Sequence, residues 1–113
     1  MLPREHRLHG DQQFQKLARQ GRSYFGPVIS VKVVPNGLAI SRFAFVISTK
    51  TAKRAVVRNS VKRRMREIIR KELPHLQKGF DALLIARPRS TTLDYWGLEE
   101  HLIDMLKKAR LYI

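Results

Sequence analysis

Blocks of hydrophobic residues along the chain differ in their spacing, and the differences predict separate elements. Residues 28–34 and 42–48 are rich in β-branched or alternating apolar residues, which favours strands. Residues 80–86 are almost continuously apolar, which predicts a strand in the centre of a sheet. Pro35-Asn36-Gly37 predicts a turn, so we expect the strands before and after it to form a hairpin-like pair.

Two short helices are predicted from apolar residues three or four positions apart. The first follows Asp11, carries Phe14, Leu17 and Ala18, and ends at Gly21. The last begins after Thr91 or Thr92, either of which can cap it. Its predicted buried stripe consists of Tyr95, Leu98, Leu102, Met105, Leu106 and Ala109.

A third, longer helix precedes Leu73-Pro74 and has two chemically different faces. At 100° per residue, one stripe contains Val57, Val61, Met65 and Ile68. The opposite arc contains Asn59, Lys62, Arg63, Arg66 and Arg70. With room for a short strand at 23–25, the order is α-β-β-(β)-α-β-α, and no repeat or linker divides residues 1–113, which we expect to form a single domain.

Positive charge is concentrated on and around this long helix. Ten of the 23 basic residues lie between Lys50 and Lys71 with one acid, Glu67, so this run carries most of the +14 net charge. Like charges one helical turn apart, such as Lys62 and Arg66, destabilise the free protein. A merely soluble surface does not need such repulsion, so the pattern favours a polyanionic partner. An anionic membrane is a weaker alternative, because the apolar stripe has no Trp or Phe anchor.

Composition narrows the class of protein further. With 113 residues and 43% hydrophobic content, the chain suits one compact domain. It contains no cysteine, which excludes disulfides, thiolate nucleophiles and cysteine-bound zinc. We expect a cytoplasmic protein without a membrane partner, because the N-terminus lacks the apolar core of a signal peptide and no apolar run approaches about 20 residues.

Residues suited to catalysis are scattered. The nine acids form no cluster, and no phosphate-binding glycine loop is present. The four histidines have neither metal-ligand nor triad spacing: His6, His9, His75 and His101. We therefore predict no catalytic residue, no metal site and no small-molecule substrate, and we interpret Trp96 and Tyr112 as packing residues.

Residues 55–67 carry a resemblance to a known family. They run Ala-Val-Val-Arg-Asn-Ser-Val-Lys-Arg-Arg-Met-Arg-Glu, which closely resembles the A-V-x-R-N-R-x-K-R-x-x-R-E signature of the bacterial ribonuclease P protein subunit. Similar residues occur in the first helix, at 48–50 and at 84–88, so nearly the whole chain is covered. The resemblance implies an α+β fold: a two-layer α/β sandwich whose four-stranded, mainly antiparallel sheet has a left-handed βαβ crossover.

The same resemblance implies the function. The protein joins a catalytic RNA, and the holoenzyme, an endoribonuclease, removes the 5′ leader of precursor tRNA; the RNA performs the chemistry and requires Mg²⁺, while the protein binds no cofactor and is monomeric when free. Residues implied to bind RNA are Lys50, Lys53, Arg54, Arg58, Asn59, Lys62, Arg63, Arg66 and Arg70. Residues implied to form a groove for the leader are Phe14, Lys16, Tyr24, Phe25 and Lys32. Phe14 has an equally good interpretation as a core partner of Leu17.

The chain departs from the family pattern at several positions. Ser60 replaces the second arginine of the Arg-Asn-Arg core, and Arg64 is the candidate to compensate, although it projects to another side of the helix. Lys53 replaces a glycine before the helix, Thr51 a lysine, and Ala18 an aromatic residue that some relatives carry.

Two alternatives belong to other classes of protein. Charge alone also suits a basic structural RNA-binding protein of the ribosomal type, which lacks the ordered 55–67 signature. A stand-alone nuclease is disfavoured by the scattered acids and histidines.

Overall fold

The computed structural model describes residues 2–8 and 10–113, with only the backbone of Asp11. His9 therefore lies outside the described residues. The helices and strands of the protein, in chain order, are α1 (Asp11–Gln20), β1 (Arg22–Tyr24), β2 (Ile29–Pro35), β3 (Arg42–Ile47), α2 (Ala55–Glu72), β4 (Phe80–Ala86) and α3 (Tyr95–Lys108). The predicted order of elements, including the short strand near 23–25, is confirmed. No helix in the described part of the chain is both long and apolar enough to span a membrane.

The four strands form one sheet in the order β1-β2-β4-β3. β4 is central, as its apolar sequence predicts; it pairs antiparallel with β2 and parallel with β3. The expected pairing of β2 with β3 is therefore wrong, because β4 lies between them. The connection after β2 is tied to the residue before β4 instead, where the backbone N–H of Asn36 donates to the Gly79 carbonyl at 2.9 Å. The chain then returns from β3 to β4 through α2, and the hand of that crossover stays a prediction.

Helices cover both faces of the sheet. The main core lies between the sheet and the α2–α3 pair, and includes Phe43, Met65, Leu84 and Leu102, all less than 2% exposed. A smaller cluster on the other face packs α1 against the sheet; its buried members are Leu8, Leu17, Val34 and Ala44. Alternation of side chains along the strands produces this division, because neighbouring residues point to opposite faces.

The predicted stripe of α3 is confirmed, but its predicted cap is wrong. Leu98, Leu102 and Leu106 are fully buried. Asp94 caps the helix, since its carboxylate accepts a hydrogen bond from the Gly97 amide at 2.8 Å. Thr91 and Thr92 belong to the preceding 3-10 turn instead, where their hydroxyls donate to carbonyl oxygens three residues earlier.

Candidate nucleic-acid interface

Helix α2 shows the two faces that its sequence predicts. The buried residues are Val61, Met65, Ile68 and Ile69, with Val57 partly buried at the edge of the core. Asn59, Arg63 and Arg70 are exposed, and Lys62 and Arg66 are half-buried. Packing of the apolar stripe on the sheet therefore fixes the direction in which the cations point. We call Asn59, Lys62, Arg63, Arg66 and Arg70 the cationic face.

Arg58 lies beside the cationic face but has a structural task. Its guanidinium donates to the carbonyl oxygens of Ala52 and Lys53, both at 2.8 Å. These bonds hold the loop that contains Lys53 and enters α2. Lys53 and Arg54 are themselves exposed, as is Lys50.

Arg66 connects the cationic face with the opposite side of the sheet. Its guanidinium carbon lies 5.9 Å from the centre of the Phe45 ring on β3, which is an edge strand. Together with Arg7, Leu8 and Phe14, it lines a depression of about 280 Å³. Arg66 of the cationic face and Phe14 of α1 therefore line one depression at the β3 edge of the sheet.

An acid partly neutralises the outer end of the cationic face. The Arg70 Nε donates to a Glu67 carboxylate oxygen at 3.1 Å. This hydrogen bond lowers the pKa of the Glu67 carboxyl to about 2. Glu67 also lines, with Asn59, Arg63 and Arg66, a depression of about 450 Å³. The carboxylate is ionised at neutral pH and offsets part of the charge there.

Arg64 does not occupy the place that Ser60 leaves. Its Nη1 donates to the Leu93 carbonyl at 3.3 Å, so the side chain is turned toward the start of α3. Ser60 is half-buried. The two positions are only about 40° apart around the helix, so the expected projection of Arg64 to another side does not follow from its position. The hydrogen bond to Leu93 is what turns its guanidinium away, and the structure offers no compensation by Arg64 at position 60.

Three of the residues predicted for the leader groove lie around α1. Phe14 is half-buried against the smaller cluster, while Leu17 one turn later is fully buried. The Lys32 ammonium donates to the Ala18 carbonyl at 3.0 Å. Lys16 is exposed on α1. Phe14 therefore serves the core through part of its ring and leaves the rest accessible.

Tyr24 and Phe25 are not near this group. Tyr24 pairs with Val31 across β1 and β2, and both side chains belong to the main core on the opposite face of the sheet. Phe25 is 70% exposed in the connection after β1, where its carbonyl accepts a hydrogen bond from Lys108. Sequence proximity suggested one groove, but the alternation of strand side chains separates its members.

Sequence reasoning missed cations at one end of the sheet. Arg87 and Arg89 are exposed just beyond β4. Because Ile47 of β3 pairs with Ala86 of β4, the chain continues from both strands at the same edge, toward Lys50 and Arg87 respectively. Recognising that β3 and β4 are parallel would have placed Arg87 and Arg89 near the predicted RNA-binding lysines.

The two aromatic residues interpreted as packing behave differently. Tyr112 is half-buried and its hydroxyl donates to Glu72 at 2.6 Å, which joins the C-terminal segment to α2. Burial first, and then this hydrogen bond, raise the pKa of Tyr112. Trp96 is 68% exposed, so its interpretation as a packing residue is wrong; its ring has an edge contact with Tyr95, and the Lys71 ammonium lies 5.8 Å from its ring centre.

Among the described residues, no group of three or more His, Asp or Glu side chains is placed to hold a metal ion. The His6 ring instead hydrogen-bonds the Ser41 carbonyl at 2.8 Å.

Comparison with known proteins gives one consistent family. The Ribonuclease P family model matches residues 2–110. The ribonuclease P protein component of Natranaerobius thermophilus is 36% identical over 104 residues, covering 92% of this chain and 90% of that protein. Its counterpart from a Clostridium botulinum strain is 36% identical over 96% of this chain and 98% of its own length.

Solved structures agree with the sequence matches. The RNase P protein from Thermotoga maritima is 31% identical with a TM-score of 0.82, covering 90% of this chain and 96% of that one. The Staphylococcus aureus RNase P protein is 25% identical with a TM-score of 0.88, covering 96% and 98%. Sequence signature, fold and relatives coincide, and the chain belongs to the ribonuclease P protein family.

Proposed function

We propose that this protein binds the ribonuclease P RNA through the cationic face of α2 and supports removal of the 5′ leader from precursor tRNA. As a member of this family it is a subunit of an endoribonuclease holoenzyme, and it is not the catalytic part. The observation that carries the proposal is the orientation of α2. Its apolar stripe is buried, and Arg63, Arg70 and Asn59 face outward together.

The chemistry of these side chains suits a phosphate backbone. Guanidinium groups present planar, paired donors that match phosphate oxygens. The Asn59 amide can hydrogen-bond a base edge, a sugar or neighbouring backbone. Neutralising phosphates releases counterions from the RNA, so affinity should fall steeply with salt. Exposed Lys50, Lys53 and Arg54 extend this surface along the entrance to α2.

A second surface on α1 is proposed for the leader. The accessible part of Phe14 can stack on an unpaired base, which is worth about 1–3 kcal/mol in single-strand binding. Lys16 and Lys32 supply positive charge near the same helix. Arg66 lies between this surface and the cationic face, because it lines the depression that contains Phe14. One RNA–protein particle can therefore present the leader beside the catalytic RNA.

The chemical step belongs to the RNA in this proposal. Mg²⁺ would be held by RNA oxygens, to which hard cations bind well. The contribution of the protein is positioning and charge neutralisation. A purely structural RNA-binding role is the alternative, and the family comparisons favour ribonuclease P.

Reconstitution tests the function. Purified protein, a bacterial ribonuclease P RNA and precursor tRNA are combined at low magnesium, with the protein alone and the RNA alone as controls. We expect cleavage at the 5′ end of the mature tRNA to be strongly stimulated only in the complete mixture. Cleavage by the protein alone would move the chemistry to this chain, and a lack of stimulation would refute the function.

A further inference from the structure

A depression of about 580 Å³ lies where the N-terminal segment meets the loop between β2 and β3. It is shallow and open to solvent. It lies at the start of β3, and none of its lining residues belongs to the cationic face of α2. Its lining residues are Arg4, Glu5, Arg7, Leu38, Ile40 and Arg42.

The apolar floor of this depression is held in place by one side chain. The Asn36 Nδ2 donates to the Ile40 carbonyl at 3.1 Å, and its Oδ1 accepts from the Leu38 amide at 2.8 Å. The same Nδ2 donates to Asp81 at 2.9 Å, which ties the loop to β4. Leu38 is nevertheless 47% exposed. A loop fixed by hydrogen bonds thus displays a leucine to solvent.

Two of the arginines at the rim are also held by the protein. Asp81 accepts from both Nε and Nη2 of Arg42, at 2.9 and 2.8 Å. The Arg7 Nε donates to the carbonyl of Leu2, a fully buried residue, at 3.0 Å. The next residue, Leu8, donates its amide N–H to Phe43 on β3 at 2.8 Å. The N-terminal segment is therefore anchored, and its arginines are pre-positioned.

These rim groups retain capacity for an anion. A guanidinium has five N–H donors. In the contacts of the described residues, Asp81 engages two donors of Arg42, and Leu2 engages one of Arg7. Exposed Arg4 adds a third positive charge; Glu5 offsets one of the three and Asp81, paired with Arg42, offsets another, which leaves a net charge of +1. An apolar floor with a net positive rim matches a nucleotide, whose base is flat and whose phosphate is anionic.

We infer that this depression, which we call the N-terminal pocket, holds a distal nucleotide of the precursor's single-stranded leader. The position of the pocket is the reason for choosing the leader as its ligand. It shares Arg7 with the depression that contains Phe14 and Arg66. It shares Arg42 with another, of about 220 Å³, that Gln12, Gln13 and Lys16 of α1 line. The N-terminal pocket therefore adjoins both depressions that α1 lines. The inference rests on the proposed function.

The test compares leaders of two lengths. The holoenzyme is assembled from a bacterial ribonuclease P RNA and either the natural protein or the variant Arg4→Ala/Leu38→Ser. Both positions are exposed, so the fold should be preserved. The matched control is Lys107→Ala/Ile113→Ser, which also removes one charge and one exposed aliphatic side chain, on or after α3. Substrates carry leaders of about ten or about two nucleotides, the longer one within the span of single-strand binding grooves.

We expect the pocket variant to weaken binding of the long-leader substrate by about three- to tenfold, and binding of the short-leader substrate by less than about twofold. The control should match the natural protein on both substrates. Equal weakening on both leaders, or none on the long leader, would overturn the inference. Weaker binding of the ribonuclease P RNA itself would also overturn it, because the pocket would then serve that RNA. A natural protein that does not stimulate cleavage would refute the proposed function instead, since that result precedes any variant.

Discussion

Helices α2 and α3 pack side by side on the same face of the sheet, yet their outer faces differ. Within its bounds α2 carries seven Lys or Arg residues and two acids. The outer face of α3 exposes Trp96, Glu100 and Asp104, and Asp94 caps its first turn. The first turn of α2 has neither an acid nor a side-chain cap. α3 thus has a feature that stabilises an isolated helix, whereas α2 carries an excess of positive charge that its ion pairs with Glu67 and Glu99 offset only in part.

Removing two cations from α2 or from α3 should give the largest difference in RNA affinity between the two helices. We expect Arg63→Ala/Arg66→Ala to weaken binding to the ribonuclease P RNA by about ten- to hundredfold, and to reduce the slope of log affinity against log salt by about two. Lys107→Ala/Lys108→Ala on α3 loses the same charge and should change affinity by less than about twofold. Filter binding over a salt series measures both. Similar losses from the two pairs would show that net charge, and not position, governs binding.

Adding a cation on α2 should have the next largest effect. Ser60→Arg restores the arginine of the family pattern, which Arg64 does not replace because it binds the Leu93 carbonyl. We expect affinity for the ribonuclease P RNA to rise about three- to tenfold, the value of one further phosphate contact. The matched control is Glu100→Gln on α3, which raises the net charge by one, as Ser60→Arg does, and should leave affinity nearly unchanged. A gain from Glu100→Gln equal to that from Ser60→Arg would count against the comparison.

Neutralising Glu67 should lower the stability of the free protein and raise its affinity for RNA. Glu67→Gln removes the partner of Arg70, so RNA binding should tighten by about two- to threefold while the melting temperature of the free protein falls. The carboxyl has a lowered pKa of about 2 in the folded protein against 4.5 ordinarily. Its stabilisation is therefore present above pH 4.5 and lost as the pH falls through about 2. Melting curves of both proteins should differ more at pH 6 than at pH 2, where the carboxyl is about half protonated; an equal difference at both values would assign the effect to something other than ionisation.

Much of this fold could be predicted from the chain because local patterns were strong. The nearly continuous apolar run of β4 predicted its central place, and the 3.6-residue stripes predicted the buried sides of α2 and α3. The pairing of the strands was harder to predict, because a turn at Pro35-Asn36-Gly37 suits a hairpin between β2 and β3. The contacts of Asn36 with the start of β4 show that β2 is joined to β4 instead.

The candidate site shows the same limit. Helical spacing located the cationic face, but it could not show that Arg58 turns back to the Ala52 and Lys53 carbonyls. Tyr24 and Phe25 were grouped with Phe14 because they are close in sequence. The side chain of Tyr24, on β1, nevertheless packs on the opposite face of the sheet from Phe14. Contacts between distant segments, such as Arg66 with Phe45, have no signal in a single sequence.

Site-specific crosslinking tests the central claim most directly. The chain has no cysteine, so one introduced cysteine is a unique attachment point for a photoreactive group. Val56→Cys places it on α2, at a residue 73% exposed, and leaves every cation intact. Glu100→Cys places it on the exposed face of α3. We predict efficient crosslinks to the ribonuclease P RNA from position 56 and few from position 100; the reverse result, or equal yields, would contradict binding through the cationic face of α2.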